Sequence, residues 1–270
     1  MIDQKYSLPN AISGALLPFR ALGLIAKHRE LWPYVLIPVL INIVVGLLLY
    51  VGLVVGGLRS IDRLIAEGGF WVDLLQGLLQ TVLVVGLFLV VGFLLVRFGV
   101  VLGAPWYGQL SERIEHLLLG AVPPQPPLSL VSIARDIGRA LLFELKKLAL
   151  TLAVSLPLLL LGLIPVAGQI IGLVGGIGLG ALIACLDFFD GALERRRLSF
   201  RGKLGFALKG FPGSASFGLM AFGLCSVPLL NLLAIPLCVA GGTIFFCQRP
   251  NNVDKEHSRS SASSHDLSTL

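Results

Sequence analysis

Two stretches decide the fold: Leu148–Leu186, LALTLAVSLPLLLLGLIPVAGQIIGLVGGIGLGALIACL, and Gly210–Gln248, GFPGSASFGLMAFGLCSVPLLNLLAIPLCVAGGTIFFCQ. Each runs for 39 residues without Asp, Glu, Lys or Arg. As one helix, each would extend roughly 58 Å, twice the ~30 Å hydrocarbon core of a bilayer. Pro157 and Pro165 interrupt the first, Pro228 and Pro236 the second, and proline in a helix removes a hydrogen bond and clashes with the preceding turn. The stretches therefore read as two helical hairpins, each returning to the side of the membrane it left. Splitting them near Pro165 and near Asn231 gives arms of about 17 to 21 residues, close to the ~20 needed to cross. Full crossing and partial penetration are both open, because an irregular apex is tolerated at membrane depth when protein or water covers it.

The hairpins also read as an internal repeat. Ser155–Pro165 lies over Ser226–Pro236 without a gap, matching Ser, both prolines, Ile and three leucines. A rival register sets Pro165-Val-Ala-Gly168-Gln169 over Pro228-Leu-Leu-Asn231. Repeats of this kind recur in transporters, whose sites lie near interrupted helices.

Composition agrees with a membrane protein. Of 270 residues, 56% are hydrophobic and 13% charged, against about 25% charged in soluble domains, and mean hydropathy is +0.89. A net charge of +6 needs no nucleic-acid partner, since basic residues gather on the cytoplasmic side of membrane proteins. Cys185, Cys225, Cys238 and Cys247 all sit in apolar segments without metal-ligand spacing, so neither a metal nor a disulfide framework is expected. No cofactor and no catalytic constellation is expected either.

Outward from the hairpins, residues 1–34 mix apolar side chains with Arg20, Lys27 and Arg29 and read as an interfacial N-terminal helix, with Trp32 and Tyr34 at headgroup depth. Spanning helices follow at 35–57 and 74–103, joined by a short polar connection. Ala104-Pro105-Trp106-Tyr107 is expected to end the second. Tyr107–Leu119 reads as a separate amphipathic helix, with Leu110, Ile114, Leu117 and Leu118 on one face and Glu112, Arg113, Glu115 and His116 on the other. A stiff Pro123–Pro127 linker and a helix over 128–147 lead into the first hairpin. Residues 1–248 form a single membrane domain, and 249–270 a disordered tail. The fold class is all-α: two long transmembrane helices, two hairpins, and amphipathic helices at the cytoplasmic interface. Of 21 Lys and Arg, only Arg59 and Arg63 lie in the Leu58–Asp73 connection. That asymmetry makes both termini cytoplasmic.

Several segments, taken together and in order, resemble the bacterial CysZ family and the wider etoposide-induced-protein-like group. They are Leu36-Ile37-Pro38-Val-Leu-Ile-Asn42; Ala104-Pro105 with Leu110-Ser-Glu112-Arg-Ile-Glu115; Ile164-Pro165-Val-Ala-Gly168-Gln169; Asp187-Phe-Phe-Asp190; and Pro228-Leu-Leu-Asn231-Leu followed by Pro236. The resemblance implies a bacterial inner-membrane, homo-oligomeric permease passing sulfate or a related oxyanion toward cysteine synthesis. It also implies a Gly–apolar–Arg sequence holding sulfate where the first long helix begins. Here that place is Glu30-Leu31-Trp32, with Lys27, His28 and Arg29 upstream.

Candidate residues each carry two readings. Lys27, His28 and Arg29 precede a helix whose free amides and positive end favour an oxyanion; the plainer role is anchoring at the membrane surface. Asn42, Arg97, Gln169 and Asn231 are polar groups inside spans or at apices, suited to a passing anion or to interhelical hydrogen bonds. Asp187 and Asp190 suit ion coupling or salt bridges. Arg195, Arg196, Arg197, Arg201 and Lys203 read as a lipid-facing basic segment that attracts anionic lipids, or as a cluster that gathers anions at a cytoplasmic mouth. Two functions from different classes follow: an oxyanion permease, or a non-transporting membrane organiser whose basic face recruits lipid or partner proteins.

Overall fold

The computed structural model describes residues 10–65, 69–120, 130–227 and 230–249; the side chains of 94–102 and 130–134 lie outside that description. Among the described residues the chain is all helix: α1 (Ala11–Ala15), α2 (Leu17–Lys27), a 3-10 turn (Arg29–Leu31), α3 (Trp32–Leu64), α4 (Phe70–Leu119), α5 (Leu130–Leu161), α6 (Ala167–Arg195), α7 (Phe200–Lys209), α8 (Gly213–Ser226) and α9 (Leu230–Cys247). Among the described residues, four segments are long and apolar enough to cross a membrane, namely Arg29–Leu64, Phe70–Phe93, Ala167–Arg195 and Leu230–Cys247.

The two ends of this series differ physically. In α4 only 6% of the apolar window is buried by protein, whereas in α9 the figure is 78%. A helix apolar all round must be surrounded, and α9 is, with α2, α3, α4, α6 and α8 packed about it. The core lies where α6, α7, α8 and α9 meet. There Phe189 stacks on Phe245 at 4.8 Å and on Phe217 at 5.2 Å, while Phe206 meets Phe189 edge-on at 5.6 Å. Such ring pairs contribute about 0.5–1.5 kcal/mol each beyond their buried area.

The first hairpin turns at residues 162–166, as the prolines suggest. Val166 has φ +62° and ψ −73°, and the Ala167 amide donates to the Pro165 carbonyl at 2.8 Å. That is a γ-turn, a strained conformation for a β-branched residue. Gly168 then packs against the Leu161 carbonyl oxygen, so closely that a methyl group could not fit. The arms of the second hairpin are shorter, 14 residues in α8 and 18 in α9, or about 21 and 27 Å. Its turn follows Ser226, and Asn231 belongs to the first turn of α9 rather than to an exposed apex. The gapless repeat register fails for the same reason. It lays the last residues of α5 over the first of α9, while the rival register pairs Pro165 with Pro228, which lies outside the described residues.

Two further expectations need correction. Pro105 does not end the second spanning helix: α4 continues through it for 50 residues, about 75 Å. The 107–119 segment is the C-terminal part of α4, packed on α9 and α6, and that packing outweighs one lost hydrogen bond. The N-terminal segment is two short helices rather than one, with one side packed on the rest of the protein. Gly14 of α1 lies against the Gly213 carbonyl, and Leu17, Ala21 and Ile25 of α2 are buried. The tail beyond Arg249 and the Pro123–Pro127 linker lie outside the described residues.

Candidate functional site

α3 and α4 form one apolar pair, and α5 with α6 another. Between them and the second hairpin is a cavity of about 2140 Å³. Its membrane-level walls are apolar, with Ile43, Leu47, Phe88 and Phe222, while Lys147, Asp187, Asp190, Glu194, Arg195 and Lys203 line its other end. These charges follow from the chain order. α6 leaves its uncharged run at Asp187, and each further turn of helix adds another ionisable group to the same end.

The charges are arranged in three clusters. Lys147 of α5 places Nζ 2.5 Å from Asp187 Oδ1 and 2.8 Å from Glu144 Oε1. Lys203 of α7, only 2% exposed, reaches both Asp190 Oδ1 and Glu194 Oε2 at 2.5 Å. It also stands 4.2 Å over the Phe143 ring, and Arg139 holds the other oxygen of Glu194 at 3.0 Å. The third cluster centres on Glu115, whose side chain is fully buried. Arg195 donates Nε and Nη2 to Glu115 Oε2 at 3.0 and 2.8 Å, while Arg196 Nη2 is 2.5 Å from Oε1. Arg195 also donates to Ser111 Oγ at 2.7 Å, and Thr243 Oγ1 of α9 donates to that oxygen at 2.8 Å. Three helices, α4, α6 and α9, are thus joined by one polar knot.

The candidate residues fall into two groups. Asn231, Asp187, Asp190, Arg195, Arg197 and Lys203 meet in the cavity wall. Lys27, His28, Arg29, Asn42 and Gln169 are elsewhere. Lys27 and Arg29 are exposed at the α2–α3 junction, and His28 Nδ1 is 3.9 Å from Glu30. Asn42 is buried and donates Nδ2 to the Pro38 carbonyl at 2.8 Å. Gln169 is exposed beside the first turn. Arg97 lies in α4, with its side chain outside the described residues.

The basic segment is not uniformly lipid-facing, which corrects the expectation from sequence. Arg195, Arg196 and Lys203 are buried in ion pairs, because each has a carboxylate on a neighbouring turn or helix. Arg197 and Arg201 remain exposed. Asp187 and Asp190 are both in salt bridges. Glu115, expected on a wet face, is the most deeply buried acid of the three clusters. It falls with Tyr107, Leu110, Ser111 and Ile114 on the stripe that packs inward, a stripe legible at i, i+3, i+4 and i+7 once Ser111 is allowed on it. Lys147 and Glu194 were likewise missed.

Residues 17–236 match the family model described as Sulfate transporter CysZ/Etoposide-induced protein 2.4. Curated relatives include a protein named Sulfate transporter CysZ from Pseudomonas syringae pv. tomato, 29% identical over 217 residues, covering 79% of this chain and 83% of that one. Proteins of the same name come from Salmonella typhimurium, 28% identical over 210 residues (78% and 82% covered), and Pectobacterium atrosepticum, 27% over 220 residues (82% and 79%).

Proposed function

The chain belongs to the sulfate transporter CysZ/etoposide-induced protein 2.4 family, and from that membership we propose that it is a permease for sulfate or a related oxyanion. It works in the bacterial inner membrane with both termini cytoplasmic, as a homo-oligomer in contact with anionic lipids, and carries out no covalent chemistry. The observation that supports a specific route is the cavity lined at one end by charged side chains.

A dianion leaving water needs replacement donors at each step. Arg197 lines the cavity and has no carboxylate within ion-pair distance among the described residues, so it is the natural first contact at the cytoplasmic end. Lys147 and Lys203 are each shared by two carboxylates. Their charge is thus already taken up, which leaves Arg197 as the cavity cation without a carboxylate partner among the described residues to meet an oxyanion.

The test is uptake of labelled sulfate into liposomes holding the purified protein, competed with sulfite, selenate, phosphate and chloride. Saturable, sulfate-selective uptake is expected. No flux above empty liposomes, from protein that elutes as a single folded species, would refute the permease reading. Arg197 has φ +51°, a conformation Asn also adopts readily. Arg197→Asn therefore removes the charge while leaving the backbone in place, and is expected to lower sulfate flux several-fold.

A further inference from the structure

Asn231 is the second residue of α9, at the deep end of the second hairpin, about 20 Å of helix rise from where α8 begins. The residue is 1% exposed, and among the described residues Nδ2 has no hydrogen-bond partner. Its own backbone amide is already satisfied, donating to the Val227 carbonyl at 3.1 Å. The residue stands in the wall of the large cavity, and the other α9 residues of that wall, Leu232, Ile235 and Val239, are apolar. A buried amide donor without an acceptor is costly, and native interiors rarely leave one so.

From the cavity wall, the orphan donor and the start of a helix together, we infer that Asn231 is a neutral binding point for the tetrahedral oxyanion substrate within the membrane. The inference rests on the permease reading. It adds a place where the anion is held away from the charged end of the cavity. The first turn of an 18-residue helix carries a positive partial charge, and an amide N–H donated to an anion makes a charge-assisted bond stronger than a neutral one. Neither contribution adds a full charge, so the anion is stabilised without being trapped. The rest of the α9 wall, leucine, isoleucine and valine, offers an anion no side-chain donor.

The competing explanation is structural: the amide packs the hairpin and touches no substrate. Three variants separate the two in the full-length protein in liposomes. Asn231→Leu keeps the volume and removes the donor, Asn231→Ala removes both, and Asn231→Gln keeps a donor on a longer stem. The inference expects Leu and Ala to raise the apparent KM for labelled sulfate about tenfold or more, with Gln closer to the parent. It also expects sulfate to raise the thermal midpoint of the detergent-solubilised parent but not that of Asn231→Leu. If the parent transports sulfate and the KM of Leu or Ala stays within about twofold of it, the inference is overturned and the permease reading stands. A fall in maximal rate at unchanged KM overturns it equally, as a structural role. No transport by the parent removes the permease reading itself. Should Leu fail to elute as a folded species, the KM of Ala, which introduces no bulk, decides between the two explanations.

Discussion

Replacing Glu115 with alanine would leave two guanidinium groups without their shared carboxylate. The side chains of Arg195 and Arg196 are 9% and 12% exposed, and that of Glu115 is fully buried, so solvent cannot take over the role of the lost partner. Breaking one side of a buried ion pair costs about 3–5 kcal/mol. For a chain of this size that corresponds to a fall of roughly 10 °C in thermal midpoint. The damage should centre on the C-terminal part of α4, because Ser111, Arg195 and Thr243 lose the anchor that orients them. The assay is heating of the detergent-solubilised protein, followed by loss of the monodisperse species. Glu115→Gln, which keeps the shape and one acceptor oxygen, should cost less, about 1.5–3 kcal/mol. Raising the salt concentration should change little, since buried pairs are poorly screened. A midpoint for Glu115→Ala within about 2 °C of the parent would refute the reasoning. It would mean that the arginines have other partners or reach water.

Other perturbations follow from the same geometry. Gly168→Ala drives a methyl into the Leu161 carbonyl and should destabilise the first hairpin by about 1–3 kcal/mol, read as a lower thermal midpoint. Val166→Gly relieves a positive φ and should be neutral or stabilising by about 1 kcal/mol in the same assay. Lys203→Met leaves Asp190 and Glu194 facing each other and removes the contact with Phe143; its midpoint should fall, and fall further as the pH rises above the carboxylate range. Gly14→Val displaces α1 from Gly213 and should make the N-terminal segment more sensitive to protease while spectroscopic helix content holds.

The hairpins and spans were legible because they rest on signals confined to short stretches: long uncharged runs, prolines, and the flanking charge. Pro165 falls in the turn of the first hairpin for that reason. Pro105 misled because its local cost is real but small beside the packing of α4 on α9, which involves residues more than a hundred positions apart. The same separation hid the polar knot. Glu115 and Arg195 lie 80 residues apart, and a carboxylate within an amphipathic segment reads as wet until its partner is known. Asn231 was singled out as polar in an apolar run, but only the folded chain shows that its amide is buried beside a cavity. Lys203 and Arg196 were misjudged for the converse reason: a basic run reads as a surface when the acids that bury it, Asp190, Glu194 and Glu115, belong to other turns and helices.

Because α4 is one continuous helix from Phe70 to Leu119, a tilt of its apolar part carries over into the part beyond Pro105. About 24 Å of helix lies between Gly103 and Leu119, so a change in tilt of roughly 5° moves the far end by about 2 Å, comparable to a helix shift in a switching protein. Tilt responds to the thickness of the surrounding lipid. The bilayer therefore has a mechanical lever on Ser111 and Glu115, and through them on the wall of the cavity. Lipid chain length should tune this protein as a load tunes a hinge.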